Sequence, residues 1–150
     1  MNRRRQQFFQ LLQEQRQPIT LVLECTNPHN IGTTIRTAEF FGVRDVLLVG
    51  PNRTYANDIG AAQWVHIERH RTPEDAIADL RRRGMTLIAL ETSAVPIADI
   101  TIDIQRPLAI VVGHERHGVS RAFLDAADAI ATLPGAFGRA FWRVTAVAAV

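Results

Sequence analysis

The chain has 150 residues, 47% hydrophobic and 21% charged, which is one domain of ordinary globular composition and excludes a disordered or low-complexity scaffold. Its 17 lysine-plus-arginine residues are all arginine, and against 15 acids they leave a formal charge of +2. One cysteine, Cys25, excludes an internal disulfide framework and a cysteine-built zinc cluster within one chain.

Residues 3–15 are expected to form an amphipathic helix, with Phe8, Leu11, Leu12 and Gln15 on one side and Gln17-Pro18 ending it. The basic start at residues 1–7 has no apolar core behind it, so it does not read as a secretion signal. No apolar run approaches the ~20 residues of a membrane span. A cytoplasmic protein is expected. Residues 19–24 are β-branched and leucine-rich, a buried strand. Residues 27–30 are turn chemistry, with Asn30 as the expected cap of a helix over 31–41 that Gly42 closes.

A second strand is expected at 46–49, then a loop over 52–63 with one helical turn, then a strand at 64–67. Thr72-Pro73-Glu74-Asp75 opens a helix that runs to Arg83 and stops at Gly84. Strands follow at 86–90 and 108–112, a helix at 120–127, a short strand at 129–133 and the start of a buried helix at 144–150. Strands that alternate with helices and are continuously apolar argue for an α/β fold, a parallel sheet covered by helices on both faces. Such a sheet takes its ligand outside the carboxyl ends of its strands. Chemistry is therefore sought in residues 26–30, 50–55, 91–96, 113–120 and 134–143.

Arginine grips phosphate with two parallel hydrogen bonds and stacks on bases. Arg3, Arg4, Arg5 and Arg16 form one cluster and Arg81-Arg82-Arg83 another. Solvated helix faces explain them, and so does a surface for a phosphate backbone. Asn30 and Arg36 sit on the first strand-to-helix junction, as an ordinary capped helix with a surface arginine or as a functional pair. Gly113-His-Glu-Arg-His-Gly118 directly follows a strand, as a tight polar turn or as a ligand loop. It matches neither a dinucleotide fingerprint nor a phosphate-binding loop. The spacing of His29, His114 and His117 is too generic to define a metal site, and no metal is expected. Cys25 ends a buried strand and reads as a small core residue.

Residues 27–43, Asn-Pro-His-Asn-Ile-Gly-Thr-Thr-Ile-Arg-Thr-Ala-Glu-Phe-Phe-Gly-Val, resemble the first motif of the SpoU (TrmH-like) branch of the SPOUT RNA methyltransferases. Residues 110–120, Ile-Val-Val-Gly-His-Glu-Arg-His-Gly-Val-Ser, resemble the second. Leu133-Pro134, Val144-Thr145 and Ala148-Ala149-Val150 resemble fragments of the third. The likeness runs from about Ile19 to the end and is greatest to the short tRNA guanosine-2′-O-methyltransferases.

The resemblance implies a parallel α/β sheet whose C-terminal segment forms a trefoil knot, a topology that periodicity alone never suggests. It implies an N-terminal helix in residues 1–17 ahead of a methyltransferase domain in 18–150, and a homodimer with active sites at its interface. S-adenosylmethionine is the implied cofactor, and a ribose 2′-hydroxyl of tRNA or rRNA the acceptor. Residue by residue, the catalytic positions fall on Asn30, Arg36 and Glu115. The cofactor contacts fall on Leu90, Gly113, Leu133 and Trp142, largely through backbone. Arg3, Arg4, Arg5 and Arg36 face RNA. A guanidine with a pKa above about 12 is a poor base. Arg36 is therefore expected to hold the phosphate beside the target ribose and to ease the developing alkoxide, with Asn30 and Glu115 orienting it.

The third motif departs from the pattern. Phe141-Trp142-Arg143-Val144-Thr145 stands where the family carries Ser-Leu-Asn-Val-Ser, and Val150 falls inside an expected longer helix. Two readings follow, an RNA ribose methyltransferase and an RNA-binding homologue with impaired turnover. An unrelated nucleotide-binding α/β protein is the remaining alternative.

Overall fold

The computed structural model describes residues 18–103 and 105–133. The helices expected at 3–15 and 144–150 lie outside them. Within them the elements are β1 (Ile19–Leu23), α1 (Pro28–Phe40), β2 (Asp45–Val49), a 3₁₀ turn (Ala61–Trp64), β3 (His66–His70), α2 (Pro73–Arg82) and β4 (Thr86–Pro96). A second 3₁₀ turn (Ile97–Asp99), β5 (Leu108–Val112), α3 (Arg121–Ala126) and β6 (Ala129–Thr132) follow. The six strands form one sheet in the order β3-β2-β1-β5-β4-β6, every neighbouring pair parallel.

Alternation along the strands feeds two cores. Leu21, Leu23, Val46, Leu48, Ile88, Leu90 and Val112 point to one face, where Ile31, Ile35 and Ala38 of α1 cover them. Val22, Leu47, Val49, Leu87, Ala89 and Val111 point to the other, under Ala76 and Leu80 of α2 and Phe123 of α3. Both faces are covered, as expected. The side chains of Leu23, Ile31, Ile35 and Phe123 are fully buried, each worth roughly 1.5–3 kcal/mol against exposure.

Several boundaries differ from expectation for identifiable reasons. Helix α1 begins three residues early. Pro28 needs no N–H partner in a first turn, and Asn27 is the cap, its side chain accepting from the His29 N–H at 2.9 Å. Asn30 lies inside the helix rather than before it. The strand expected at 64–67 is displaced, because Trp64 closes the 3₁₀ turn and β3 pairs with β2 from Asp45↔His66 to Val49↔His70. As an edge strand β3 tolerates its charged sequence. Strand β4 continues past Leu90 to Pro96, with a register break against β6 between Leu90 and Val95. Thr72 caps α2 as expected, accepting from the Asp75 N–H at 3.2 Å. Because all strands run one way, the loops that follow them share one edge.

Candidate active site at the carboxyl edge of the sheet

Strands β1 and β5 are neighbours, with Leu23 opposite Val112. The chain therefore turns at Thr26 and at Gly113 side by side, and Glu115 crosses between the two loops. Its Oε1 accepts from the Asn27 N–H at 3.0 Å and from the Asn30 side-chain amide at 3.2 Å. Its Oε2 accepts from the Thr26 N–H at 3.1 Å and the Thr26 hydroxyl at 3.3 Å. Burial pushes the carboxyl up, but the backbone N–H groups of Asn27, Glu115 itself and Thr26, with the Asn30 amide, outweigh it and hold Glu115 at about 2. It is a carboxylate at neutral pH and sits by the amino end of α1, where the helix dipole favours an anion. The Nδ1 of His114 accepts from the Arg116 N–H at 3.0 Å, and its Nε2 lies 3.3 Å from the Thr26 hydroxyl oxygen.

The loop after β5 closes on itself. The His114 N–H donates to the Gly118 carbonyl at 2.8 Å, and the Gly118 N–H to the His114 carbonyl at 2.9 Å. A Cβ on Gly113 would lie 2.1 Å from the Gly118 carbonyl carbon and 2.2 Å from the Val119 nitrogen. Gly118 adopts φ +71°, and its Cβ would meet the Glu91 carboxylate. Both glycines are thus required by the loop's own closure. Two further carboxylates tie the loop down: Glu91 accepts from the Val119 N–H, and Glu24 from the Ser120 N–H at 2.8 Å. Sequence reasoning missed both. The signal was available, since each is the acid that directly follows a buried apolar run, Leu21-Val22-Leu23-Glu24 and Ile88-Ala89-Leu90-Glu91.

Leu90, before the register break in β4, lies beside Gly113 after β5 and Leu133 after β6, since Leu90 pairs with both Val112 and Ala131. Leu90 is 8% exposed and Leu133 9%. Both belong to the buried core cluster beneath this edge of the sheet. Trp142, Arg3, Arg4 and Arg5 lie outside the described residues.

Asn30 and Glu115 are brought together, but neither touches Arg36. Arg36 is exposed six residues further along α1 and has no hydrogen bond or ion pair among the described residues. It lines an open groove of about 600 Å³ with Thr33, Phe40, Asp58, Ile59 and Trp64. Between Asn30 and Arg36 on the same helix, Gly32 receives the loop after β2, and a Cβ there would lie 1.7 Å from the Ala56 carbonyl oxygen.

The His114 and His117 rings lie 4.7 Å apart, tilted by 39°, and His29 faces the Asn57 amide at 3.1 Å. The described residues offer one convergent set of potential metal ligands, and it is Glu68, His70 and Asp79 instead. Arg82 and Arg83 already occupy that set through ion pairs with Asp79 and Glu68. Arg81 pairs with Asp128 at 2.7 Å, so each arginine of the 81–83 cluster already meets a carboxylate. Cys25 is fully buried, and burial, helped by the Glu115 charge, pushes its thiol up to about 12. It is a core residue, as expected.

A parallel α/β domain with two cross-linked loops at the carboxyl ends of its central strands defines a ligand-binding edge of the doubly wound class. The model of the SpoU rRNA Methylase family matches residues 18–138, and the chain belongs to that family. It is 37% identical over 125 residues to the tRNA (guanosine(18)-2′-O)-methyltransferase of Escherichia coli (strain K12), covering 79% of this chain and 55% of the relative. The chain thus spans about half the length of that relative. The A. aeolicus TrmH/SpoU tRNA modifying enzyme superposes with a TM-score of 0.79 at 23% identity, covering 96% of this chain and 78% of the other. The AdoMet-bound rRNA methyltransferase of Sinorhizobium meliloti superposes with 0.73 at 25% identity, covering 87% and 52%. No helix among the described residues is long and apolar enough to cross a membrane.

Proposed function

We propose that the chain transfers a methyl group from S-adenosylmethionine to a ribose 2′-hydroxyl in structured RNA, tRNA or rRNA. The observation that carries this reading is the Glu115 clamp, which joins residues 26–30 to residues 113–118 in one ordered edge. The tRNA (guanosine(18)-2′-O)-methyltransferase and the AdoMet-bound rRNA methyltransferase that the chain resembles support this reading. The resemblance adds a trefoil knot, an N-terminal helix in 1–17 ahead of a domain in 18–150, a homodimer and a cytoplasmic location to the proposal.

Leu90, Gly113 and Leu133, with Trp142, would hold the cofactor, whose positively charged sulfur supplies an already activated methyl. The protein's task is then placement and charge stabilisation. Glu115 and Asn30 are positioning residues: they fix the amino end of α1 against the loop after β5. The Arg36 guanidinium has no partner of its own among the described residues. It can hold a backbone phosphate and offset negative charge that develops on the ribose oxygen. Removing one such donor typically costs 10²–10³ in rate. The altered third motif, Phe141-Trp142-Arg143, favours the second reading, a homologue that binds RNA but turns over poorly.

The test is to incubate the protein with S-adenosylmethionine carrying a tritiated methyl and with total tRNA and rRNA, then hydrolyse in alkali. A 2′-O-methyl group blocks cleavage of the adjacent phosphodiester, so the label is expected in alkali-resistant dinucleotides. Label in mononucleotides, marking base methylation, would overturn the assignment. Cofactor binding without transfer to any RNA would establish the impaired reading.

A further inference from the structure

We infer that a groove at the carboxyl ends of β2 and β3, built from Arg53, Arg69 and Arg71, binds backbone phosphates of the RNA beside the proposed site. Val49 and His70 end these strands as a register pair, and the Gly50 N–H donates to the His70 carbonyl at 2.9 Å. The cavity formed there has a volume of about 390 Å³. Arg53 is anchored by its Nε–H, which donates to the Val49 carbonyl at 2.8 Å, and its guanidinium lies over Gly50, where any side chain would collide with it. Arg69 lies over the Tyr55 ring, 5.8 Å from its centre. Arg71 is exposed immediately beyond β3.

Among the described residues none of these three guanidinium groups meets a carboxylate. Arg81, Arg82, Arg83 and Arg121 each do. Three unneutralised forks gathered at one strand edge, one anchored and one on an aromatic face, are complementary to an extended polyanion. A chain of phosphates serves all three, whereas a single small anion leaves charge uncompensated.

The groove lies beside the site, because β2 neighbours β1 in the sheet. The loop that carries Arg53 and Tyr55 packs on Gly32 of α1, and its Ala56 N–H donates to the Pro28 carbonyl at 2.9 Å. RNA seated there would lead toward Asn30 and Arg36.

The inference rests on the proposed RNA reading, and the experiment separates the two. Binding of a full-length tRNA transcript is measured from 50 to 300 mM salt for the wild type, the double variant Arg69→Ala/Arg71→Ala and the control Arg121→Ala. Calorimetry with S-adenosylmethionine and thermal melting check that each protein is folded. The double variant is expected to bind at least tenfold more weakly at low salt. The slope of log K against log[salt] should shrink by about 1 per arginine removed, with Arg121→Ala unchanged. A salt-dependent wild type matched by the double variant overturns the groove and leaves the proposed function standing. A wild type that binds neither this transcript nor total rRNA, measured in parallel, overturns the proposed function itself. Competition by millimolar inorganic phosphate with an unchanged slope would identify a small-anion site and also overturn the groove.

Discussion

At the amino end of the sheet Arg81 holds Asp128 through both oxygens, at 2.7 and 3.2 Å, and Asp128 also accepts from the Leu87 N–H at 2.7 Å. At the carboxyl end Glu115 takes four hydrogen bonds from neutral donors and pairs with no arginine among the described residues. Both carboxyls lie below their ordinary range. The Arg81 guanidinium is the main cause for Asp128, while backbone and amide donors working against burial are the cause for Glu115. The arginines follow this division only in part, since Arg121, which comes after the β5 loop, pairs with Asp125. Arg81, Arg82 and Arg83 meet carboxylates, whereas Arg36, Arg53, Arg69 and Arg71 do not. An end whose charges are mutually neutralised is structural. An end that holds ordered charges without counter-ions is built for something that arrives.

Breaking each end separately sharpens this contrast. The largest effect is expected from Gly113→Ala, because the new Cβ lies 2.1 Å from backbone that cannot yield. Chemical denaturation should record a loss of about 2–4 kcal/mol, and wild-type stability would mean that the loop closes another way. At the opposite end, Asp128→Ala leaves the Leu87 N–H without its acceptor and should cost about 1–2 kcal/mol, with RNA affinity unchanged. A matching fall in RNA affinity would erase the distinction between the two ends.

Glu115→Gln keeps the size of the side chain but places an NH₂ against groups that are themselves donors. Methyl transfer should fall about tenfold or more through misplacement of residues 26–30. The pH dependence of stability carries its own signature. The folded carboxyl sits at about 2 against an ordinary 4.5, so its contribution is complete above about pH 4.5 and lost as pH falls toward 2. Glu115→Gln should flatten the unfolding curve in that window, and an unaltered curve would deny Glu115 its clamp. The smallest effect is expected from Arg82→Ala. Its side chain is 76% exposed despite the ion pair, and its removal should change stability by no more than about 0.5 kcal/mol.

Much of the fold was legible because the apolar runs are unambiguous. Leu108–Val112 and Ile19–Leu23 can only be buried strands, and Thr72-Pro73-Glu74-Asp75 can only open a helix. The errors cluster where local chemistry has two solutions. Asn27 and Asn30 both make good caps, and Pro28 between them decides for Asn27. Trp64 looks like a strand residue until the β2 register assigns that role to His66–His70. The pairing of Asn30 with Glu115, 85 positions apart, depends on β1 lying beside β5. Alternation of elements cannot reveal that order, and only the resemblance pointed to it. The arginine run at 81–83 stood out in the sequence and proved to be internally paired. Arg53, Arg69 and Arg71 read as scattered decoration, because only the parallel pairing of β2 with β3 collects them.

In the proposed function Arg36 acts on the RNA, while Leu90, Gly113 and Leu133 serve the cofactor. The direct measurement is Arg36→Ala, followed by single-turnover methyl transfer to RNA and by calorimetric titration with S-adenosylmethionine. Transfer should fall by 10² or more while cofactor affinity stays within a few-fold of the wild type. Equal loss of both would place Arg36 in the cofactor site and contradict the division of labour proposed for this edge.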